Sequence, residues 1–256
     1  VSKRRKQARL EMTVASLRQR FGPRAAFRSE SRQASDRVPS FPHVPTGFPA
    51  LDEILGIGGL PRGRVSELLG QPTSGKTTLA LKLLSQAQDR GRQVGYIDQA
   101  RCFDPDYAHR CGLDLSRLVV GAPYGPTETL AMIEALVHEG YLAALVLDTL
   151  DLFWADARAM QQLDASLGRI LAPLARAETV LLLLHDRPAA ESPALVPFAH
   201  HASVRLEVVR ERWQQRHGDI RGYEARVRVL KNRFSPVGRM ATIAIHFNGT
   251  VRGDGL

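Results

Sequence analysis

An α/β fold with a mostly parallel central sheet and an antiparallel extension is predicted by three features of this 256-residue sequence. From Thr46 onward, apolar runs of strand length alternate with amphipathic segments, the pattern of parallel strands covered by helices. One such run and one such helix flank a G-x-x-x-x-G-K-[ST] stretch, Gly70-Gln71-Pro72-Thr73-Ser74-Gly75-Lys76-Thr77. After residue 200 the apolar period becomes two. Val204, Leu206 and Val208 alternate with polar residues, as do Val227 and Val229 with Arg226 and Arg228.

The elements follow in chain order. Leu10, Val14, Leu17 and Phe21 recur along one face of a short helix that Gly22-Pro23 stops. That helix has nothing local to pack on. Its stripe, with Phe27 beyond the turn, is therefore expected to dock on its own domain or on another protein. Residues 1–28 are read as an arm, residues 29–45, rich in Ser, Arg and Pro, as a linker, and residues 46–256 as the core. Strands are predicted at Val65–Leu69, Val94–Asp98, Val119–Gly121, Ala144–Asp148 and Val180–Leu184. Helices are predicted at 50–55, 77–90, 105–111, 127–138 and 158–175, with Leu79, Leu83, Leu84 and Ala87 facing the sheet. A hairpin through His217-Gly218-Asp219, closed by Ala241–Phe247, completes the core.

Hydrophobic residues make up 44% and charged residues 24%, ordinary for a globular chain. The longest apolar runs, Leu142–Leu147 and Val180–Leu184, are far too short to span a membrane. No apolar segment follows the basic N-terminus, so a cytoplasmic location is expected. Cys102 and Cys111 have no metal-ligand spacing and make no disulfide framework; free thiols are the expectation. The net charge of +9 is uneven: +8 over residues 1–37 (11 Lys/Arg, 3 Asp/Glu), −5 over 38–204 (13 and 18), and +6 over 205–239 (10 and 4). Such clustering suits a polyanion, a solvated face or a protein interface. Arg210, Arg212, Arg216, Arg221, Arg226 and Arg228 are candidate DNA contacts, with Trp213 either stacking on a base or packing in the hairpin.

The strand–loop–helix context gives residues 70–77 a mechanism. Glycines let backbone N–H groups turn toward phosphate oxygens, and the helix that follows points its positive end at them. Gly70 to Thr78 are the predicted nucleotide cradle: Lys76 for the terminal phosphates, and the Thr77 hydroxyl for magnesium. Leu145-Val146-Leu147-Asp148 is an apolar strand ending in a carboxylate, which makes Asp148 the second metal partner.

Further residues carry a resemblance. Thr46-Gly47, Leu51-Asp52 and the run Gly56 to Arg64, leading into the loop, resemble the RecA family of recombinases. So do Tyr96-Ile97-Asp98, Asp104-Pro105-Asp106-Tyr107, Ala202 to Leu206 and Arg226 to Arg233. The resemblance implies a RecA-like core that binds ATP with Mg2+, with Asp104 and Tyr107 lining the adenine pocket. On their own terms these two read equally as a helix-capping Asp and a buried Tyr. It also implies that Lys231 and Arg233 reach a neighbouring subunit's nucleotide, where the residues alone allow a solvated strand end.

The departures matter as much. Ala100 stands where the family has the glutamate that activates water, a loss of about 10²–10⁴ in rate. Asp186 stands where the family has a glutamine that senses the terminal phosphate. The segments at 149–157 and 187–201, matching the family's DNA loops, are short and poor in phosphate donors. This combination is similar to the ImuA group, accessory proteins of SOS mutagenesis and translesion synthesis. That likeness implies weak or absent hydrolysis and partners such as an ImuB-like protein, an error-prone polymerase or RecA itself. An active single-strand-dependent ATPase, acting in strand exchange or as a recombination mediator, is the other expectation.

Overall fold

The computed structural model describes residues 2–22, 41–186, 199–216, 219–247 and 251–253. The chain divides into two units, Val1–Ser40 and Phe41–Leu256. In the first, helix α1 runs from Ser2 to Phe21. It carries Leu10 and Leu17 exposed and Val14 half-buried; Phe21 ends it, and Phe27 lies outside the described residues.

The second unit begins earlier than the linker reading predicts. Strand β1 (His43–Val44) pairs with β2 (Leu60–Pro61), Val44 is fully buried, and Phe41 stacks against Phe234 at 4.5 Å. Two apolar side chains among the linker's last five residues are enough to attach it to the core.

The main sheet holds nine strands among the described residues. In chain order they are β3 (Val65–Leu69), β4 (Gln93–Asp98), β5 (Leu118–Gly121), β6 (Leu142–Asp148), β7 (Val180–His185), β8 (Ala202–Arg216), β9 (Asp219–Asn232), β10 (Met240–Phe247) and β11 (Val251–Gly253). Their spatial order is β11-β10-β9-β8-β3-β7-β6-β4-β5. Pairing is parallel from β8 through β3 to β5 and antiparallel from β8 to β11. The helices of this unit are α2 (Pro49–Leu55), α3 (Lys76–Ala87), α4 (Pro105–Arg110), α5 (Pro126–Glu139), α6 (Asp151–Trp154) and α7 (Ala157–Ala177).

Two cores explain the change of period in the sequence. On the parallel strands, neighbouring residues enter opposite layers: Val146 and Leu182 pack with α2 and α3, while Leu145, Leu147, Leu181 and Leu183 pack with α5, α6 and α7. Both faces are covered, so these strands are apolar throughout. On β8, β9 and β10, Val204, Leu206, Val208, Ala225, Val227, Ile243 and Ile245 all enter the α2–α3 layer. One covered face leaves an alternating sequence.

Helix α3 stops at Ala87, short of the predicted residue 90, and a 3₁₀ turn follows at Asp89–Gly91. The Gln88 side chain ends it, donating to Asp114 O and accepting from Asp114 N, both at 2.8 Å. The short α6 lies inside the segment 149–157; Phe153 is fully buried there and Trp154 packs against His185. Of the other segment matched to a DNA loop, residues 187–198 lie outside the described residues, as do His217 and Gly218 of the predicted turn. No helix among the described residues is long and apolar enough to cross a membrane.

Candidate functional site

Parallel register sets the site. Leu69 pairs with His185, Asp148 with Leu184, and Asp98 with Asp148. The carboxyl ends of β3, β7, β6 and β4 therefore converge, the place where open α/β sheets hold ligands. Gly70 leaves β3 into the loop and Asp186 leaves β7 directly beside it.

The loop is tight. A Cβ at Gly70 would meet the Val208 carbonyl oxygen at 2.3 Å, and Gly75 has φ +108°, in the left-handed region. No side chain caps α3, so its N-terminal amides are left for an anion. Ser74 Oγ is buried with no protein partner. Lys76 is almost fully buried, and its Nζ donates to Gly70 O (2.6 Å), Gln71 O (2.9 Å) and Asp186 Oδ1 (2.9 Å).

The two predicted metal partners meet. Thr77 Oγ1 donates to Asp148 Oδ2 at 3.3 Å, and the Tyr96 hydroxyl donates to the same oxygen. Burial holds the Asp148 carboxyl above its ordinary value, Asp98 adds to this, and the Tyr96 and Thr77 hydrogen bonds oppose it. Burial and the Asp148 charge likewise raise the Tyr96 phenol. A hydroxyl beside a carboxylate crowded by a second carboxylate is a donor set that suits a hard divalent cation.

The turn directly after β4, Gln99-Ala100-Arg101, carries no carboxylate to act as a base. Asp98 accepts from Cys102 N (3.1 Å) and Phe103 N (2.8 Å). Gln99 is buried, its Nε2 donating to Thr129 Oγ1 at 2.8 Å, and Ala100 is exposed.

A cleft of about 210 Å³ opens beside the loop, between residues 73–78 and Arg210, Trp213 and Tyr223. Arg210 Nη1 donates to Thr73 O and Thr73 Oγ1 at 3.2 and 3.1 Å, and its guanidinium lies 4.4 Å from the Trp213 ring centre. Trp213 meets Tyr223 edge-on at 5.7 Å. Thr78 Oγ1 shares a 2.6 Å hydrogen bond with the Tyr107 hydroxyl and a 3.3 Å bond with that of Tyr223. Asp104 caps α4, its carboxylate accepting from Tyr107 N at 2.9 Å. Pro72 and Gln71 complete the loop. Sequence reasoning missed Tyr96, Tyr223 and the loop contact of Arg210; no local motif marks them, since strand register alone brings them in.

Lys231 and Arg233 stand away from the loop. Lys231 Nζ donates to Ala199 O at 2.8 Å and Arg233 Nη2 to His200 O at 2.8 Å, both just before β8 begins. Burial, then the Arg233 charge, holds Lys231 below the usual lysine range.

The remaining hairpin arginines are largely neutralised. Arg212 forms a bidentate pair with Glu224 (2.7 and 2.9 Å), Arg228 pairs with Glu207 (2.6 Å), Arg226 with Glu211 (3.0 Å) and Arg221 with Asp219 (3.1 Å). Arg216 ends β8, and its side chain lies outside the described residues. Four of the six candidate DNA-contact arginines, Arg212, Arg221, Arg226 and Arg228, are therefore ion-paired rather than free.

A glycine-rich loop between a central parallel strand and its helix defines a P-loop α/β protein. Residues 8–170 match the RecA N-terminal domain family. The chain is 29% identical to Protein RecA of Bacillus pumilus, over 98% of this chain and 77% of that protein. It is 31% identical to Protein RecA of Chlorobium chlorochromatii, over 94% and 73%, and 30% identical to that of Streptomyces ambofaciens, over 96% and 71%. The chain belongs to the RecA family.

Proposed function

We propose that this RecA-family chain is an ImuA-like accessory protein of DNA damage tolerance that binds ATP with Mg2+ and hydrolyses it slowly or not at all. One observation carries the reading: the turn after β4 offers Gln99 committed to Thr129, Asp98 committed to two backbone amides, and an exposed methyl at Ala100. None of these takes a proton from water.

Nucleotide binding is supported separately. Lys76, Ser74 and the α3 amides would hold phosphate oxygens, Thr77 and Asp148 would hold Mg2+, and the cleft at Arg210, Trp213 and Tyr223 has room beside the loop. Bound Mg2+ supplies charge neutralisation between phosphate oxygens. Tyr107, which shares a hydrogen bond with Thr78, and Asp104, which caps its helix, would line the base.

The arm, residues 1–28, serves protein docking through Leu10, Val14, Leu17, Phe21 and Phe27. Its partners are of the translesion class, an ImuB-like protein with an error-prone polymerase, or RecA; self-assembly and DNA contact through the hairpin belong to the same reading, in the cytoplasm. The test is ATP turnover with and without single-stranded DNA, against a Lys76→Ala blank. Turnover at the blank level is expected. Strong stimulation by DNA overturns the accessory reading in favour of a working DNA-dependent ATPase that exchanges or remodels strands.

A further inference from the structure

We propose that Asp186 makes the phosphate loop select a nucleoside diphosphate over a triphosphate. The proposal rests on the reading above that the loop takes a nucleotide, and it concerns which one.

An ammonium has three hydrogens to donate, and all three of those on Lys76 are used. Two go to Gly70 O and Gln71 O, neutral acceptors inside the loop itself, and the third goes to the Asp186 carboxylate at 2.9 Å. A loop lysine of this kind serves both the β- and γ-phosphates. Serving both while keeping Asp186 would cost it both loop carbonyls, whereas a diphosphate displaces only one of the three bonds.

Asp186 cannot withdraw easily. The residue before it, His185, is fully buried, pairs in register with Leu69, stacks on Trp154 at 5.7 Å and lies 3.7 Å from Glu67. Glu67 is in turn held by Arg205 at 2.7 Å. The backbone up to His185 is thus fixed beside Leu69, and the part-exposed Asp186 side chain is committed to Lys76.

Charge adds to geometry. Among the described residues the side-chain cations at the loop are Lys76 and Arg210, and the carboxylates that bond its side chains are Asp186 and Asp148. Asp148 has two hydroxyls beside it and would hold the metal; among the described residues the Asp186 carboxylate bonds Lys76 alone. A further phosphoryl group arriving at that ammonium meets the like charge of Asp186, and like charges brought together discriminate against a ligand. A neutral amide in place of the carboxylate removes the repulsion and supplies an N–H donor instead.

Equilibrium titration of the full chain with fluorescent ADP and a fluorescent non-hydrolysable ATP analogue, both in Mg2+, tests this on wild type, Asp186→Asn, Asp186→Gln and Lys76→Ala, with circular dichroism melts to confirm folding. The expected result is wild-type preference for the diphosphate by about tenfold or more, and triphosphate affinity raised by about tenfold in both Asp186 variants with diphosphate affinity changed less than about threefold. Equal wild-type affinities, or a ratio unmoved by either substitution, overturns the selection while leaving nucleotide binding intact. Binding of neither nucleotide, with wild type indistinguishable from Lys76→Ala, overturns the nucleotide reading and the selection with it.

Discussion

Asp148 shows at the scale of one residue what a ligand site costs its protein. Its carboxyl is held above the ordinary 3.8, burial first and Asp98 second, against the Tyr96 and Thr77 hydrogen bonds and the Lys76 charge. The folded chain therefore binds this proton more tightly than the unfolded chain. Its contribution to stability is greatest below 3.8 and falls as pH rises through the raised value. Asp148→Asn should flatten that slope and raise the ligand-free melting temperature at neutral pH by on the order of a few degrees. The same change should abolish stabilisation by Mg2+ with nucleotide; melts from pH 4 to 8, with and without both, check each half. Ala100→Glu asks the converse question. If the site lacks only a base, ATP turnover should rise about tenfold or more above wild type in a steady-state assay. The Thr77–Asp148 pair was legible in the sequence, because a strand-ending acid and a loop hydroxyl each carry a local pattern. The Lys76–Asp186 bond was not. Asp186 was read only against an incoming phosphate, and the ligand-free lysine needs a partner as well.

Elements decide what a charge count means. In the β8–β9 hairpin the apolar alternation was visible in the sequence, because one covered face imposes period two on each strand. Ion pairing was not visible, since it depends on which residues stand opposite. Register sets Glu207 across from Arg228 and Val209 across from Arg226, and the long side chains close onto Glu207 and Glu211. The part-exposed Arg226–Glu211 pair contributes only about 0–1 kcal/mol to stability, so its larger effect is on what the arginine is free to bind, whereas Glu207 is buried and its pair with Arg228 also holds the sheet. Glu207→Gln with Glu211→Gln should lower the melting temperature by on the order of a few degrees, mostly through the buried Glu207. It should tighten single-stranded DNA binding and steepen the plot of log affinity against log salt by about 0.7 for each arginine that gains a phosphate. An unchanged slope in a fluorescence-anisotropy titration would remove Arg226 and Arg228 from any DNA surface.

For the whole molecule, the position of Lys231 and Arg233 bears on assembly. Gly70 follows the last residue of β3, whereas these two side chains turn to the carbonyls of Ala199 and His200, before β8 starts and beside the beginning of β3. Within one copy they and the phosphate loop stand at opposite ends of the same strands. Among the described residues their hydrogen bonds go to backbone carbonyls; burial and Arg233 weaken the Lys231 charge more than Glu67 supports it, so a phosphate would be a better partner than the carbonyls. If that phosphate belongs to a second copy stacked end to end, the repeated interface would build a filament rather than a closed dimer. Nucleotide should therefore promote growth of assemblies in sedimentation velocity. Lys231→Ala should abolish that growth while leaving the melting temperature within about two degrees and single-copy nucleotide affinity unchanged, because the residue touches no part of its own loop. Growth that survives the substitution would mean the copies meet through another surface. The arm is separable in the same experiment: residues 41–256 form a unit of their own, so a chain lacking residues 1–40 should fold and bind nucleotide. If it also stops assembling, the stripe of Leu10, Val14 and Leu17 docks one copy onto the next; if it assembles normally, that stripe is left for a different protein.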